Sequence, residues 1–166
     1  AKKINAQPIT DLKKLLPVAS IYIIAVKDDA IAELAKQLHV NNQVVVHTSG
    51  SIEMSVLKGT SQNYGVFYPL QTFSKSKAVD FSNIPICIEA SNKKTANTLK
   101  RFAKSISKSV QEINSAQRKT LHVAAVFACN FTNHMYAIAD SLLTKNNISF
   151  DLLKPLIMET ADKIKH

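Results

Sequence analysis

Ile21-Tyr22-Ile23-Ile24-Ala25-Val26 is a near-continuous apolar run of strand length, followed at once by Lys27, the acids Asp28 and Asp29, and a helix-period segment. An apolar run without alternation is the pattern of a strand covered on both faces, as in a parallel sheet. Asp28 or Asp29 offers an N-cap to a helix reaching Leu38, with Ile31, Leu34, Ala35 and Leu38 on one face. Working outward, Val44-Val45-Val46-His47 reads as the next strand and ends in the turn Thr48-Ser49-Gly50-Ser51. Val66-Phe67-Tyr68 is a short strand stopped by Pro69, which lacks a ladder donor, and Ile86-Cys87-Ile88-Glu89 is a fourth. A helix from Lys93 to Ser107 presents Ala96, Leu99, Phe102, Ala103 and Ile106 inward, and Val110 to Ile113 forms a last short strand. Strands alternating with helices predict an α/β fold with a partial, Rossmann-type parallel sheet.

After Asn114 the pattern changes. Asn114-Ser115-Ala116-Gln117 has the form of a capping box, because the Gln117 amide stands three residues after Asn114. Neither glycine nor proline interrupts the chain from there to Lys145, which predicts one helix of about thirty residues. A second helix is expected over 152–164, with Asp151 as its cap and Pro155 tolerated in the first turn. The expected organisation is therefore an α/β part at 1–113 and an all-helical part at 114–166.

With 166 residues, 46% of them hydrophobic and 20% charged, the chain can bury one core and is not disordered as a whole. Two cysteines, Cys87 and Cys129, exclude a disulfide framework, and both read as buried small hydrophobes. The start Ala1-Lys2-Lys3-Ile4-Asn5 is polar and shows no secretory signal. The uncharged run from Thr120 to Ala139 carries His122, Asn130, Thr132, Asn133 and His134, too polar for a membrane span. A cytoplasmic protein without membrane contact is the expectation.

Net charge +9 raises the question of a polyanionic partner. All but Arg101 and Arg118 of the 21 basic residues are lysine, aromatics make up 7%, and tryptophan is absent. Nucleic-acid readers favour arginine and stacking aromatics. Nucleic acid is thus an unlikely partner, and the lysines of 93–108 read as a solvated face, with an anion-binding role as the rival reading.

A parallel sheet gathers ligand contacts at the carboxyl ends of its strands, which singles out His47 and the turn after it. Tyr68, closing the next strand, carries a proton-donating hydroxyl, although packing is the simpler role there. A dinucleotide site also needs a G-x-G-x-x-G turn. The three glycines, Gly50, Gly59 and Gly65, do not have that spacing, and the residues up to Leu16 read as a polar lead-in with a short helix after Thr10. Walker-type, paired-cysteine and H-E-x-x-H patterns are absent, so no metal site is expected. On the long helix, at about 100° per residue, Lys119, His122, Val126, Asn130, Asn133, Ala137 and Asp140 share one stripe with His134 at its edge. Between Lys119 and Asp140 that stripe is hydrogen-bonding but uncharged, which suits either a semi-buried cleft or a subunit interface.

Four stretches carry a resemblance. They are Tyr22 to Ile31, Val46-His47-Thr48-Ser49-Gly50-Ser51, Gly65 to Phe73, and above all Gln117-Arg118-Lys119 through Leu121 to His134. Together they resemble a bacterial family with an N-terminal Rossmann-like domain and a C-terminal helical domain of unknown function. That family is similar in architecture to deazaflavin-dependent NADP reductases, pyrroline-carboxylate reductases and hydroxyacid dehydrogenases. The resemblance implies an NAD(P)-dependent oxidoreductase with an unidentified small-molecule substrate. Val26, Lys27 and Asp28 would border the cofactor, and His47, Thr48 and Ser49 its nicotinamide end. Asn130 and Asn133 are the candidates for holding substrate. The lysine that hydroxyacid dehydrogenases place one turn earlier is replaced by Val126 and Phe127, leaving His122, or His134, as the candidate acid/base group.

Such relatives begin with a strand, the glycine turn, a helix and a second strand, and their helical domains continue further. The resemblance therefore implies a chain shortened at both ends, with no NADP or NAD binding of its own and with cofactor binding in the intact protein. A homodimer through the helical part is expected. The rival to catalysis is a dimerising or ligand-sensing module that kept the fold.

Overall fold

The computed structural model of the chain describes residues 6–9, 11–15, 19–74 and 78–165. The polar start at 1–5, Thr10 and Leu16 lie outside them; within the lead-in, a single 3-10 turn covers Leu12–Lys14. The chain divides into two compact units, Ala1–His122 and Val123–His166.

The first unit is built on five strands: β1 (Ile21–Ile24), β2 (Val44–His47), β3 (Asn63–Pro69), β4 (Ile86–Ala90) and β5 (Val110–Glu112). Their order in the sheet follows their order in the chain. Helix α1 (Asp28–Gln37) joins β1 to β2, and α2 (Lys93–Ile106) joins β4 to β5; both pairs are parallel. β2 and β3 are also parallel, linked through a 3-10 turn at Met54–Leu57. β3 and β4 run antiparallel, in register from Gly65 opposite Ala90 to Pro69 opposite Ile86. An antiparallel neighbour needs no helical crossover to return the chain, and the β3–β4 link contains a short 3-10 turn, Phe81–Asn83. The sheet is thus mostly parallel, with one reversal that apolar patterning could not reveal.

The two faces explain the apolar runs. Tyr22, Ile24 and Val45 pack with Ile31 and Ala35 of α1 and with Leu57. Val44, Val46, Phe67, Ile86 and Ile88 pack with Leu99 and Ala103 of α2. All of β2 is therefore buried. β1, at the edge of the sheet, is buried only on the Tyr22 and Ile24 side; Ile23 is 45% exposed. The apolar run 21–26 is accordingly not covered on both faces as expected, and the strand ends at Ile24, leaving Val26 in the turn beyond it. Full burial of one side chain such as Leu99 contributes roughly 1.5–3 kcal/mol.

Helix starts follow local chemistry in part. Asn92 caps α2 by accepting from the Thr95 amide at 2.9 Å. The capping box at the start of α3 (Ser115–Ala125) is reciprocal: Gln117 N–H donates to Asn114 Oδ1, and Asn114 N–H to Gln117 Oε1, both at 2.9 Å. At α1 neither aspartate caps. Lys27 is the cap residue, without a side-chain bond, and Asp28 and Asp29 occupy the first turn, where the helix dipole favours negative charge.

In the second unit, helix continues through a π-helical stretch, Val126–Phe131, into α4 (Thr132–Thr144). The uninterrupted long helix is thus present, but the constant 100° advance is not, because a π turn is wider than an α turn. Asn147 closes α4 with φ 55°, a left-handed conformation asparagine tolerates, and Ile148 N–H donates to the Leu143 carbonyl. Ser149, not Asp151, caps the next turn by accepting from the Asp151 amide. Helix α5 (Lys154–Asp162) then carries Pro155 in its first turn, where no donor is missed. No described residue of this unit is buried. Cys129, expected to be buried, is exposed, whereas Cys87 on β4 is buried.

Candidate functional site

Within the first unit, the turn after β2 and the end of β3 meet α3, and the segment after β1 meets that turn. The turn after β2 is organised by its own side chains. Ser49 N–H donates to His47 Nδ1 at 3.2 Å, and Ser49 Oγ accepts from the amides of Ser51 at 3.1 Å and Ile52 at 3.0 Å. Ser51 Oγ donates to Asp28 Oδ2 at 2.5 Å, tying this turn to the start of α1. Two loops that the chain separates by more than a helix are thereby clipped together at one end of the sheet.

His47 has no exposed surface. Burial, aided by the Arg118 guanidinium, lowers its pKa from 6.5 to about 4, so it is neutral at physiological pH. With Nδ1 accepting from Ser49, the ring hydrogen belongs on Nε2. The Glu53 backbone is near enough to favour that hydrogen electrostatically, yet Nε2 completes no hydrogen bond and is buried. His47 is thus a rigid neutral donor in the wall beneath the turn.

Gly50 lets α3 approach this turn. A Cβ there would stand 2.6 Å from His122 Nδ1 and 2.9 Å from Tyr68 Cζ, contacts no side chain could keep. Against the glycine, Tyr68 Oη and His122 Nδ1 form a hydrogen bond of 3.0 Å, their rings edge-on at 73°. Tyr68 is buried; His122 is half-buried. Burial, and next the Cys87 beside it, push the Tyr68 pKa up, so the phenol stays protonated.

One turn before His122, Arg118 is 1% exposed and pairs with Glu89 of β4. Its other terminal nitrogen donates to the Ile52 carbonyl and to Ser115 Oγ, and Ser115 Oγ donates to Glu89 Oε2 at 2.8 Å. This network locks α3 to the sheet and to the turn after β2. Arg118 Nε is left buried without a hydrogen bond.

Of the residues singled out in the sequence, Asp28, His47, Thr48, Ser49 and His122 come together here. Val26, 42% exposed, and Lys27 lie on the loop leading to Asp28. Asn130 and Asn133 belong to the second unit, Asn130 within the π-helical stretch, and both are exposed. Glu89, Arg118 and Gly50 were not assigned roles from sequence. Glu89 carried a signal, as the one charge in an otherwise apolar strand; so did Arg118, a lone arginine on its helix.

The glycines do not build a phosphate cradle: Gly50 seats His122, Gly59 turns the chain with φ 100°, and Gly65 lies against the Glu89 carbonyl of the neighbouring strand. Among the described residues no group of three or more histidines, cysteines and acids could hold a metal. No helix among them is long and apolar enough to cross a membrane.

Comparison with known proteins agrees with this architecture. A candidate NADP oxidoreductase of Bacteroides fragilis superposes with a TM-score of 0.91 at 49% identity, over 99% of this chain and 65% of its own. A Thermotoga maritima protein has a TM-score of 0.74 at 24% identity, over 89% of this chain and 60% of its own. A reductive aminase of Aspergillus terreus, solved with NADPH and ethyl-5-oxohexanoate, shares the fold at 12% identity and a TM-score of 0.63, over 89% of this chain and 54% of its own. The chain thus spans less than two thirds of the length of these structures. No curated protein matches it. The likenesses establish an α/β, Rossmann-like fold followed by a helical part. Residues 84–166 match the family described as a domain of unknown function, DUF2520, and the chain belongs to that family.

Proposed function

We propose that the chain forms part of an NAD(P)-dependent oxidoreductase, with the nicotinamide end of the cofactor at the clipped loops after β1 and β2. The observation carrying this reading is the convergence of Asp28, His47, Ser51, Tyr68 and His122 at the carboxyl end of a mostly parallel sheet. The Bacteroides fragilis relative supports the cofactor class. Val26 supplies exposed apolar surface for a nicotinamide ring, and Asp28, Thr48 and Ser51 supply polar groups for its ribose and amide. The pyrophosphate has no matching glycine turn in this chain, so those phosphates would be held by residues outside it. The bound nicotinamide supplies hydride chemistry. The chain's own residues shape the rim, exclude water through the neutral His47 wall and manage a proton at the Tyr68–His122 pair.

Calorimetric titration with NADPH tests the reading. The full-length Bacteroides fragilis relative is expected to bind, and this chain alone to show no measurable heat. Failure of the longer protein to bind would defeat the cofactor assignment. Tight binding by this chain would instead defeat the placing of the phosphates.

A second reading concerns assembly, and the second unit supports it. Phe127 is 65% exposed, Phe131 48%, Met135 53%, Ile138 44% and Leu142 59%, and the Phe127 and Phe131 rings stack 5.1 Å apart. Single exposed apolar residues are ordinary, but a run of this size along one helix has the character of a surface that becomes covered, and a second copy of the chain would suit it. A homodimer through this helix fits, and Asn130 and Asn133 would then hydrogen-bond across it or line a substrate pocket it completes. Sedimentation equilibrium over a range of concentrations should give twice the chain mass; a monomer at every concentration would remove this reading.

A further inference from the structure

The pairing of Tyr68 with His122 is more specific than packing demands. Tyr68 ends a buried strand face and His122 stands on a helix 54 residues later, yet their polar atoms meet at 3.0 Å. The contact is possible only because residue 50 is glycine, since any Cβ would displace the imidazole. The pair is also asymmetric in exposure. Tyr68 is buried with its hydroxyl engaged by Nδ1, whereas the ring of His122 is half-buried and Nε2 has no hydrogen bond among the described residues. Nε2 is not among the buried unpartnered atoms either, so it reaches the surface.

A phenol held against one nitrogen of a histidine fixes the ring orientation, and which of the two groups donates sets the tautomer. Burial keeps the Tyr68 hydroxyl protonated, so it is a neutral partner that can donate to Nδ1 or accept from it. Only the tautomer with hydrogen on Nδ1 leaves Nε2 a lone pair that can take a proton and return it. The charged or titratable groups acting electrostatically on Tyr68 are Cys87 of β4, Arg118 on α3 itself and Asp28 of α1. His47 lies beneath the same turn and is neutral.

We propose that His122 is the proton-exchanging residue for a carbonyl or imine substrate, acting through Nε2, and that Tyr68 is its positioning residue, accepting Nδ1–H across the opening left by Gly50. This rests on the oxidoreductase reading above. A reduced nicotinamide, if bound, would supply the hydride: a C–H bond would form at the C=O or C=N carbon, the π electrons would move onto oxygen or nitrogen, and the nicotinamide would be left oxidised. The developing negative charge takes the Nε2 proton of the His122 imidazolium. Neutral imidazole remains, with Nδ1–H on Tyr68, and solvent restores the Nε2 proton. In the oxidative direction neutral His122 accepts the proton from the alcohol or amine.

The test needs neither cofactor nor substrate. Long-range nitrogen–proton NMR of this chain above the histidine titration range should show His122 with hydrogen on Nδ1, and Tyr68→Phe should move it to Nε2. Carbethoxylation of His122 by diethyl pyrocarbonate, followed by peptide mass spectrometry, should slow about tenfold in Tyr68→Phe, the scale of one lost hydrogen bond. A hydrogen bond of purely structural purpose would leave that reactivity unchanged. Hydrogen on Nε2 in the wild type overturns the proposal by itself, even if Tyr68→Phe does not fold. Equal carbethoxylation rates in a folded variant overturn it as well. If the tautomer is as stated while NADPH fails to bind the longer relative, the oxidoreductase reading falls alone.

Discussion

The sheet unit and the helical unit both carry strongly apolar sequence, but the first hides it and the second displays it. Val45, Val46, Leu57, Ile86 and Leu99 are 0% exposed, whereas Leu152 is 73%, Phe127 65% and Met158 63% exposed. In the sheet unit, the crossovers through α1 and α2 each return a helix onto one face of the strands that they join, so cover is supplied by the same stretch of chain. A helical unit has no such guarantee. Its apolar face states that something must cover it and leaves open whether that is another helix of the chain or a second molecule. The polar groups divide similarly: Arg118 and Glu89 are paired within the sheet unit, while Asn130 and Asn133 wait at the surface.

The largest expected effect probes the lock between α3 and the sheet. Arg118→Ala would leave Glu89 without its cation and should cost about 3–5 kcal/mol in urea unfolding; a loss below about 1 kcal/mol would mean that α3 is held by apolar contacts alone. Next, Leu99→Ala opens a cavity under α2 and should cost about 2–5 kcal/mol. His47 sharpens the contrast through pH. The folded chain keeps it neutral down to about pH 4, while an unfolded chain protonates it near 6.5. The unfolded state therefore binds more protons in that window, and stability falls as pH drops through it, by roughly 3 kcal/mol in total. His47→Gln should remove that part of the acid sensitivity; an unchanged pH dependence would show that His47 is not the buried base inferred here. The smallest effect is expected in the helical unit. Leu142→Ala, measured at concentrations where the chain is monomeric, should change stability by no more than about 0.5 kcal/mol. A cost matching that of Leu99→Ala would break the comparison, since Leu142 would then be buried within the single chain.

How far the sequence reached depended on the range of the interaction. The capping box of Asn114 and Gln117 spans three residues and formed as expected. Apolar periodicity identified Ile31 and Ala35 on α1 and Leu99 and Ala103 on α2, because a helix places residues three and four apart on one face. Serine was overlooked twice, as the clip to Asp28 at Ser51 and as the cap at Ser149, since a hydroxyl can bond locally in several ways. His47 and its turn were found through the rule that parallel strands gather function at their carboxyl ends. Tyr68 and His122 were singled out as well, but neither their pairing nor that of Glu89 with Arg118 was, because the first two are 54 residues apart and the second two 29.

By itself, then, the sequence determined which segments are strands and helices, which of their faces are apolar, and that the glycines lack a nucleotide-binding spacing; all of these are written in the order of neighbouring residues. Tertiary structure alone decided that β4 reverses against β3, that β1 forms an edge with Ile23 open, and that Gly50 is small because His122 lies on it. Those outcomes depend on which distant surfaces meet, and contact between distant surfaces is set by packing and by the need of buried polar groups for partners, neither of which is encoded in any local period.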